Sequence, residues 1–137
     1  MAKDLFHFIV KEALIGEGWN ITHDPFPVAY GDVQMQIDLG AEFLLGAEKE
    51  NLKIAVEIKS FTNPSPISEF HTTVGQYLNY RKALRSQEAE RTLYLAVPIQ
   101  VYDEFFRLRF VNESITEYKI FLIIYDVEKR SIMQWIK

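Results

Sequence analysis

Leu52-Lys53-Ile54-Ala55-Val56-Glu57-Ile58-Lys59-Ser60 is the stretch on which the fold turns. Its period of two puts Leu52, Ile54, Val56 and Ile58 on one face and Lys53, Ala55, Glu57 and Lys59 on the other, which is the mark of a β-strand. The first face is apolar enough to be buried. The second carries a carboxylate and an amine two residues apart, on the same side and roughly 7 Å apart along the strand. Small Ala55 leaves room beside them. A metal-ligating carboxylate next to a lysine that handles water would be built this way, and so would a solvated Glu/Lys pair at a strand end.

Just upstream, Val33 to Leu39 alternates as cleanly. Val33, Met35, Ile37 and Leu39 make one face and Gln34, Gln36 and Asp38 the other. This predicts a strand with one apolar side and Asp38 near its C-terminal end. Ala41 to Leu45 reads as a further extended segment and Gly46 to Asn51 as a polar turn, after which Leu52–Ser60 returns antiparallel. In one sheet, Asp38 and Glu57 can then converge. Two close carboxylates repel and raise each other's pKa unless a cation lies between them. A magnesium-type ion, which prefers hard oxygen ligands, resolves that cost. Lys59 could then orient or deprotonate an attacking water. The alternative is a surface salt bridge from Asp38 to Lys53 or Lys59.

Downstream, Ser65 followed by Pro66 is a good helix start, and the helix should run from Ile67 to Ser86. Phe70, Val74, Tyr77, Leu78 and Leu84 form its buried stripe. Glu69, Thr73, Gln76 and Tyr80 form a second, polar stripe that looks onto either the same site or solvent. Arg91 to Val97 is an apolar strand, which a right-handed crossover would return to the sheet. Val101 to Phe110 has helical spacing, 111–118 reads as a short helix or turn, Ile120 to Tyr125 as a strand, Asp126 to Arg130 as a turn and Ser131 to Ile136 as an edge strand. Toward the start, residues 3–16 form an amphipathic helix with Leu5, Phe6, Ile9, Val10, Ala13 and Leu14 as its apolar stripe. Glu12 on it is either a solvated charge or an outer carboxylate. Trp19 to His23 reads as a short strand or an extended lead-in, and 24–32, with Pro25 and Pro27, as an exposed loop.

A chain of 137 residues, 48% hydrophobic and 25% charged, is expected to form one domain spanning 1–137. It has no cysteine, so disulfides and thiolate metal sites are excluded and a cytoplasmic location fits. No apolar run follows Lys3, so no leader is expected, and no stretch is long enough to span a membrane. The net charge of −4 argues against broad non-specific nucleic-acid binding while leaving room for a local patch. His7, His23 and His71 are scattered without zinc spacing and read as structural or surface residues.

The order helix, antiparallel strands, long helix, strand, with Asp38 ending one strand and Glu57-Ile58-Lys59 the next, resembles the restriction-endonuclease-like, or PD-(D/E)XK, nuclease fold. Gln76-x-x-x-Tyr80 resembles a motif of several branches of that superfamily. Ile37 stands where proline usually precedes the aspartate. The resemblance implies an α/β (α+β) fold with a central mixed sheet flanked by helices and an αβββαβ core. It implies magnesium or manganese held by Asp38, Glu57 and the Ile58 carbonyl, with Lys59, Gln76, Tyr80 and Glu12 as further site residues.

More narrowly, Ala2-Lys3-Asp4, Gln36-Ile37-Asp38-Leu39-Gly40-Ala41-Glu42, Val56-Glu57-Ile58-Lys59-Ser60-Phe61, Gly75-Gln76-Tyr77 and Val97-Pro98 resemble XisH, the cyanobacterial fdxN element excision controlling factor family. That likeness implies programmed DNA excision beside a site-specific recombinase and a companion protein, XisI. Two function classes follow as expectations. One is a magnesium-dependent endodeoxyribonuclease acting on DNA. The other is a catalytically inactive module that binds a XisI-like companion or the recombinase. A homodimer built on a sheet edge or helix face is a third expectation.

Overall fold

Leu52–Ile58 lies in a strand, as its alternation predicts, and that strand is third in a six-stranded sheet. The computed structural model describes residues 2–44 and 51–137. In chain order these form helix α1 (Ala2–Gly16), strands β1 (Asn20–His23), β2 (Phe26–Tyr30), β3 (Val33–Ile37), β4 (Leu39–Leu44) and β5 (Asn51–Ile58), helix α2 (Pro66–Gln87), strand β6 (Arg91–Pro98), the short turn α3 (Ile99–Val101), helix α4 (Arg109–Glu117), and strands β7 (Leu122–Asp126) and β8 (Ser131–Ile136). The main sheet runs β1-β4-β5-β6-β7-β8, and β2 and β3 form a separate hairpin. The pairs β5–β6 and β6–β7 are parallel and the others antiparallel. With the hairpin set aside, the order is helix, three strands, helix, strand. This is the expected αβββαβ core, a mixed sheet flanked by helices.

Both faces of β5 are covered, as parallel strands require. On one face α1 packs Ile9, Val10 and Leu14 against Leu39, Ala41, Ile54 and Val56. On the other, Phe70, Tyr77 and Leu84 of α2 and Val111 of α4 meet Ala55, Leu93, Leu95 and Leu122. Glu57 shares the face of Ala55 and therefore looks toward α2, not into open solvent. Ser65 caps α2 by accepting from the Ser68 N–H, and Pro66 takes the first helical position, where no N–H is needed. The Tyr77 hydroxyl donates to the Leu93 carbonyl at 2.7 Å and accepts from the Phe121 N–H at 3.1 Å, tying α2 to β6 and to the start of β7. Tyr77→Phe should cost about 1–3 kcal/mol in urea unfolding, because a buried N–H and a carbonyl lose their partner while the ring remains.

Three expectations give way. Residues 24–32 are not a loop. They contribute β2 and the two-residue turn Gly31-Asp32, where Gly31 takes a φ of +57°. Pro27 is tolerated because its missing N–H points to the outer edge of β2. There the Gln87 amide accepts from the Ala29 N–H and donates to the Pro27 carbonyl, standing in for a neighbouring strand. Val33–Leu39 is not one strand either. It bends at Asp38, and the bend turns Ile37 into the α2-side core and Leu39 into the α1-side core. Finally, Val101–Phe110 is no regular helix: Tyr102–Phe106 form a five-residue π-helical turn. The polar turn expected from Gly46 lies, through residue 50, outside the described residues. Among the described residues, no helix is long and apolar enough to cross a membrane.

Candidate functional site

Asp38 occupies the joint between hairpin and main sheet, and Glu57 lies one residue from the end of β5. The register Leu39↔Val56 sets them side by side. Each carboxylate is anchored by the other's segment. The Asp38 N–H donates to Glu57 Oε1 at 3.3 Å, and the Ile58 N–H donates to Asp38 Oδ2 at 2.7 Å. The Lys59 N–H goes to the Ala96 carbonyl on the β6 side. Ile58 therefore presents its backbone to the opposite side, and in an extended chain its carbonyl leaves on the same side as its N–H. Asp38, Glu57 and the Ile58 carbonyl thus border one spot.

Lys59 Nζ stands 3.6 Å from Glu57 Oε2. Lys53 pairs instead with Glu88 and Glu90. The surface salt bridge considered for Asp38 is not formed among the described residues. Glu57 is only 7% exposed. Burial, reinforced by the Asp38 charge and opposed by Lys59, pushes its carboxyl up to about 8. The Tyr80 hydroxyl is raised by burial and then by the charges of Glu57 and Asp38, so its ring lies within their field. One turn earlier on the same stripe, Gln76 Oε1 is buried without a hydrogen-bond partner.

The polar stripe of α2 therefore faces inward. Its first member, Glu69, does something else. Its carboxylate accepts from the Phe61 and Asn63 N–H groups at 3.1 and 3.2 Å. This braces the loop that follows Lys59, with Phe61 held at a φ of 55°.

Glu12 takes the first of its two readings, a solvated charge. It is exposed on the outer side of α1, because Ile9, Val10, Ala13 and Leu14 turn the opposite side into the core. The α1 residue beside the site is His7, which sequence reasoning set aside as structural. His7, Phe6, Asp38, Ile58 and Ser60 line a cavity of about 30 Å³, room for one water. His7 Nε2 lies 2.8 Å from Asp24 Oδ1, and Lys11 Nζ 2.8 Å from Asp24 Oδ2. Burial raises the Asp24 carboxyl, but the bonds from Lys11 and His7 outweigh it and hold it below the ordinary range. The available signal was the spacing of four between His7 and Lys11, which puts both on one flank of α1. Through Phe6 and Ser60 the small cavity adjoins one of about 460 Å³ at the carboxyl ends of β5, β6 and β7.

Among the described residues, no group of three or more His, Asp and Glu side chains is placed to hold a metal. Two carboxylates and a carbonyl nevertheless suit magnesium or manganese, since magnesium is commonly bound through one or two carboxylates and keeps several waters.

The XisH protein family model matches residues 1–133. Two crystal structures are similar over nearly the whole chain. An XisH family protein from Nostoc punctiforme PCC 73102 shares 48% identity, with 97% of this chain and 99% of that chain covered and a TM-score of 0.88. A fdxN element excision controlling factor protein from Anabaena variabilis shares 47% identity over 98% of this chain and 99% of that chain, again with a TM-score of 0.88. No curated protein matches it. With the family matched over almost all of its length and two folds shared at such identity, the chain belongs to the XisH protein family.

Proposed function

We propose that the protein is a DNA-excision controlling factor that keeps a PD-(D/E)XK-type nuclease site and hydrolyses a DNA phosphodiester with magnesium or manganese. The observation that carries this reading is the mutual closure of the two segments, with Glu57 accepting from the Asp38 N–H and Asp38 from the Ile58 N–H, and with Lys59 beside them. The name of the Anabaena variabilis relative supports the link to excision. Asp38, Glu57 and the Ile58 carbonyl would hold the ion. When bound, the ion supplies charge neutralisation and polarises the phosphate. Lys59 orients the attacking water and stabilises the developing charge. Gln76 and Tyr80 position substrate against the carboxylates.

Nicking of supercoiled plasmid with magnesium or manganese tests the proposal. Lys59→Ala and Glu57→Ala should each lower the rate about a hundredfold or more while the fold is kept. Unchanged nicking in both variants would remove the site. The second reading is a non-catalytic module that binds a XisI-like companion or a recombinase. The net charge of −4 favours it, since so acidic a chain gains little from counterion release on DNA. Capture of the companion by a wild type that does not nick supports that reading.

A further inference from the structure

Among the described residues the fold has four open strand edges, and three of them are protected. β1 is four residues long and its pairing shifts between Ile21 and His23. β8 carries a bulge opposite Ile124 and Tyr125. The outer edge of β2 is occupied by the Gln87 amide. Short strands, bulges and capping groups are the usual means of preventing strand addition. β3 has none of them. Its sequence Val33-Gln34-Met35-Gln36-Ile37 contains no charge, no proline and no bulge.

Because Ala29 and Pro27 turn their backbone groups away from β3, their cross-strand partners Gln34 and Gln36 turn theirs outward as well. Gln34 and Gln36 are exposed, and among the described residues no hydrogen bond reaches their backbone. Two hollows border the hairpin. One, of about 720 Å³, spans both strands, walled by Gln34, Met35 and Gln36 of β3, by Pro27, Val28 and Ala29 of β2 and by Gln87. The other, of about 210 Å³, is walled by Val33, Met35 and Tyr30.

We propose that this edge pairs antiparallel with the same edge of a second copy, about a two-fold axis at Met35. The pattern is its own complement. Val33 falls opposite Ile37 of the copy, Gln34 opposite Gln36, and Met35 opposite itself, so exposed amide meets exposed amide while Ile37 stays in its own core. Gln34 and Gln36 exchange four backbone hydrogen bonds across the axis, and the incoming strand borders the smaller hollow beside Val33 and Met35. The ladder ends where Gly31 turns the chain and where Asp38 bends it inward onto the Ile58 N–H. Three residues on either side of the axis set the two Asp38 positions roughly 20 Å apart. The inference goes beyond the hydrolytic reading and does not depend on it.

Sedimentation of the full chain across the micromolar range tests it. Wild type should be a dimer. Gln34→Pro should raise the dimer dissociation constant at least about tenfold. It should leave the thermal midpoint of the monomer nearly unchanged, because the N–H it removes serves no bond within the hairpin. Should Gln34→Pro fail to fold, Gln36→Lys puts a charge on the edge instead and should raise the constant likewise. The chain has no cysteine, so Met35→Cys introduces a lone thiol. It should form an intermolecular disulfide in air, since a self-facing, non-hydrogen-bonded pair brings Cα atoms to about 4.5 Å. Exposed Thr72→Cys should not. A monomeric wild type, a dimer indifferent to the edge variants, or Met35→Cys failing to cross-link would each overturn the pairing. So would an edge that takes up only a foreign peptide or DNA.

Discussion

At pH 8 without divalent cation, Glu57→Gln should unfold about 10 °C above wild type, and the gap should close on acidification to pH 4. The Glu57 carboxyl is buried beside Asp38 and stands at about 8 in the folded protein against 4.5 as its ordinary value. The folded state therefore holds the proton more tightly than the unfolded chain. Its contribution is fully present below pH 4.5 and is lost as pH rises through 8. Above that, wild type must bury a charge that the amide does not carry, a difference on the order of 2–4 kcal/mol.

The amide keeps the bond from the Asp38 N–H, so geometry is held while charge is removed. Magnesium or manganese at pH 8 should restore most of the loss in wild type, by binding the folded state alone, and should do little for Glu57→Gln. Thermal melts at pH 4, 6 and 8 with and without cation check both halves. A wild type whose stability relative to Glu57→Gln stays flat from pH 4 to 8 would show that Glu57 ionises freely and that the carboxylates do not crowd.

How much of this could be read from the residues depended on which force placed each one. β5 was legible because its apolar residues alternate with period two, although the structure buries both faces of 54–57 and leaves Leu52 exposed. α2 was legible because Ser65-Pro66 fixes its start and its two stripes repeat at helical spacing. The meeting of Asp38 and Glu57 was anticipated, yet for a reason that the structure replaces. Asp38 is not the end of a continuous strand. It sits in a bend that moves the chain from one core to the other, and alternation cannot show this because Ile37 and Leu39 are apolar on either side of the turn.

The hairpin escaped for a related reason. Pro25 and Pro27 signal a loop locally, and only Gln87, sixty residues from Pro27, supplies the partner that makes a proline-bearing strand tolerable. His7 rather than Glu12 borders Asp38 because helical phase relative to the core, rather than residue type, decides which α1 side chain turns toward it. Long-range contacts of this kind leave no periodic trace.

Arg91→Ala should cost about 3–5 kcal/mol in urea unfolding, the largest loss expected of any single surface-to-core anchor in the fold. The Arg91 side chain is buried, yet every donor has an acceptor. Nε and Nη2 meet Glu88 at 2.9 and 3.1 Å, and Nη1 meets the Ile54 and Ala41 carbonyls at 2.9 and 3.4 Å. Nη2 also lies 3.7 Å from Glu42, and the guanidinium stacks 4.6 Å from the Phe26 ring centre. One residue thus ties the end of α2, both central antiparallel strands and the hairpin together.

Arg91→Lys should recover little, because an ammonium cannot serve the Glu88 fork and two carbonyls at once. Glu88 is held below the ordinary carboxylate range first by its bond from Arg91. Its contribution is present above that range and lost on acidification, the opposite sense to Glu57. The two effects separate in a pH series: Arg91→Ala should lose most at neutral pH and less in acid. Phe26 also packs on Gly40, where an added Cβ would come within 2.5 Å of the ring, so the guanidinium sets how that ring sits against β4. Asp38 hangs from that hairpin. Cation-dependent stabilisation should therefore weaken in Arg91→Ala even at temperatures where the chain is still folded, and a cation response equal to wild type would mean that β4 alone fixes Asp38.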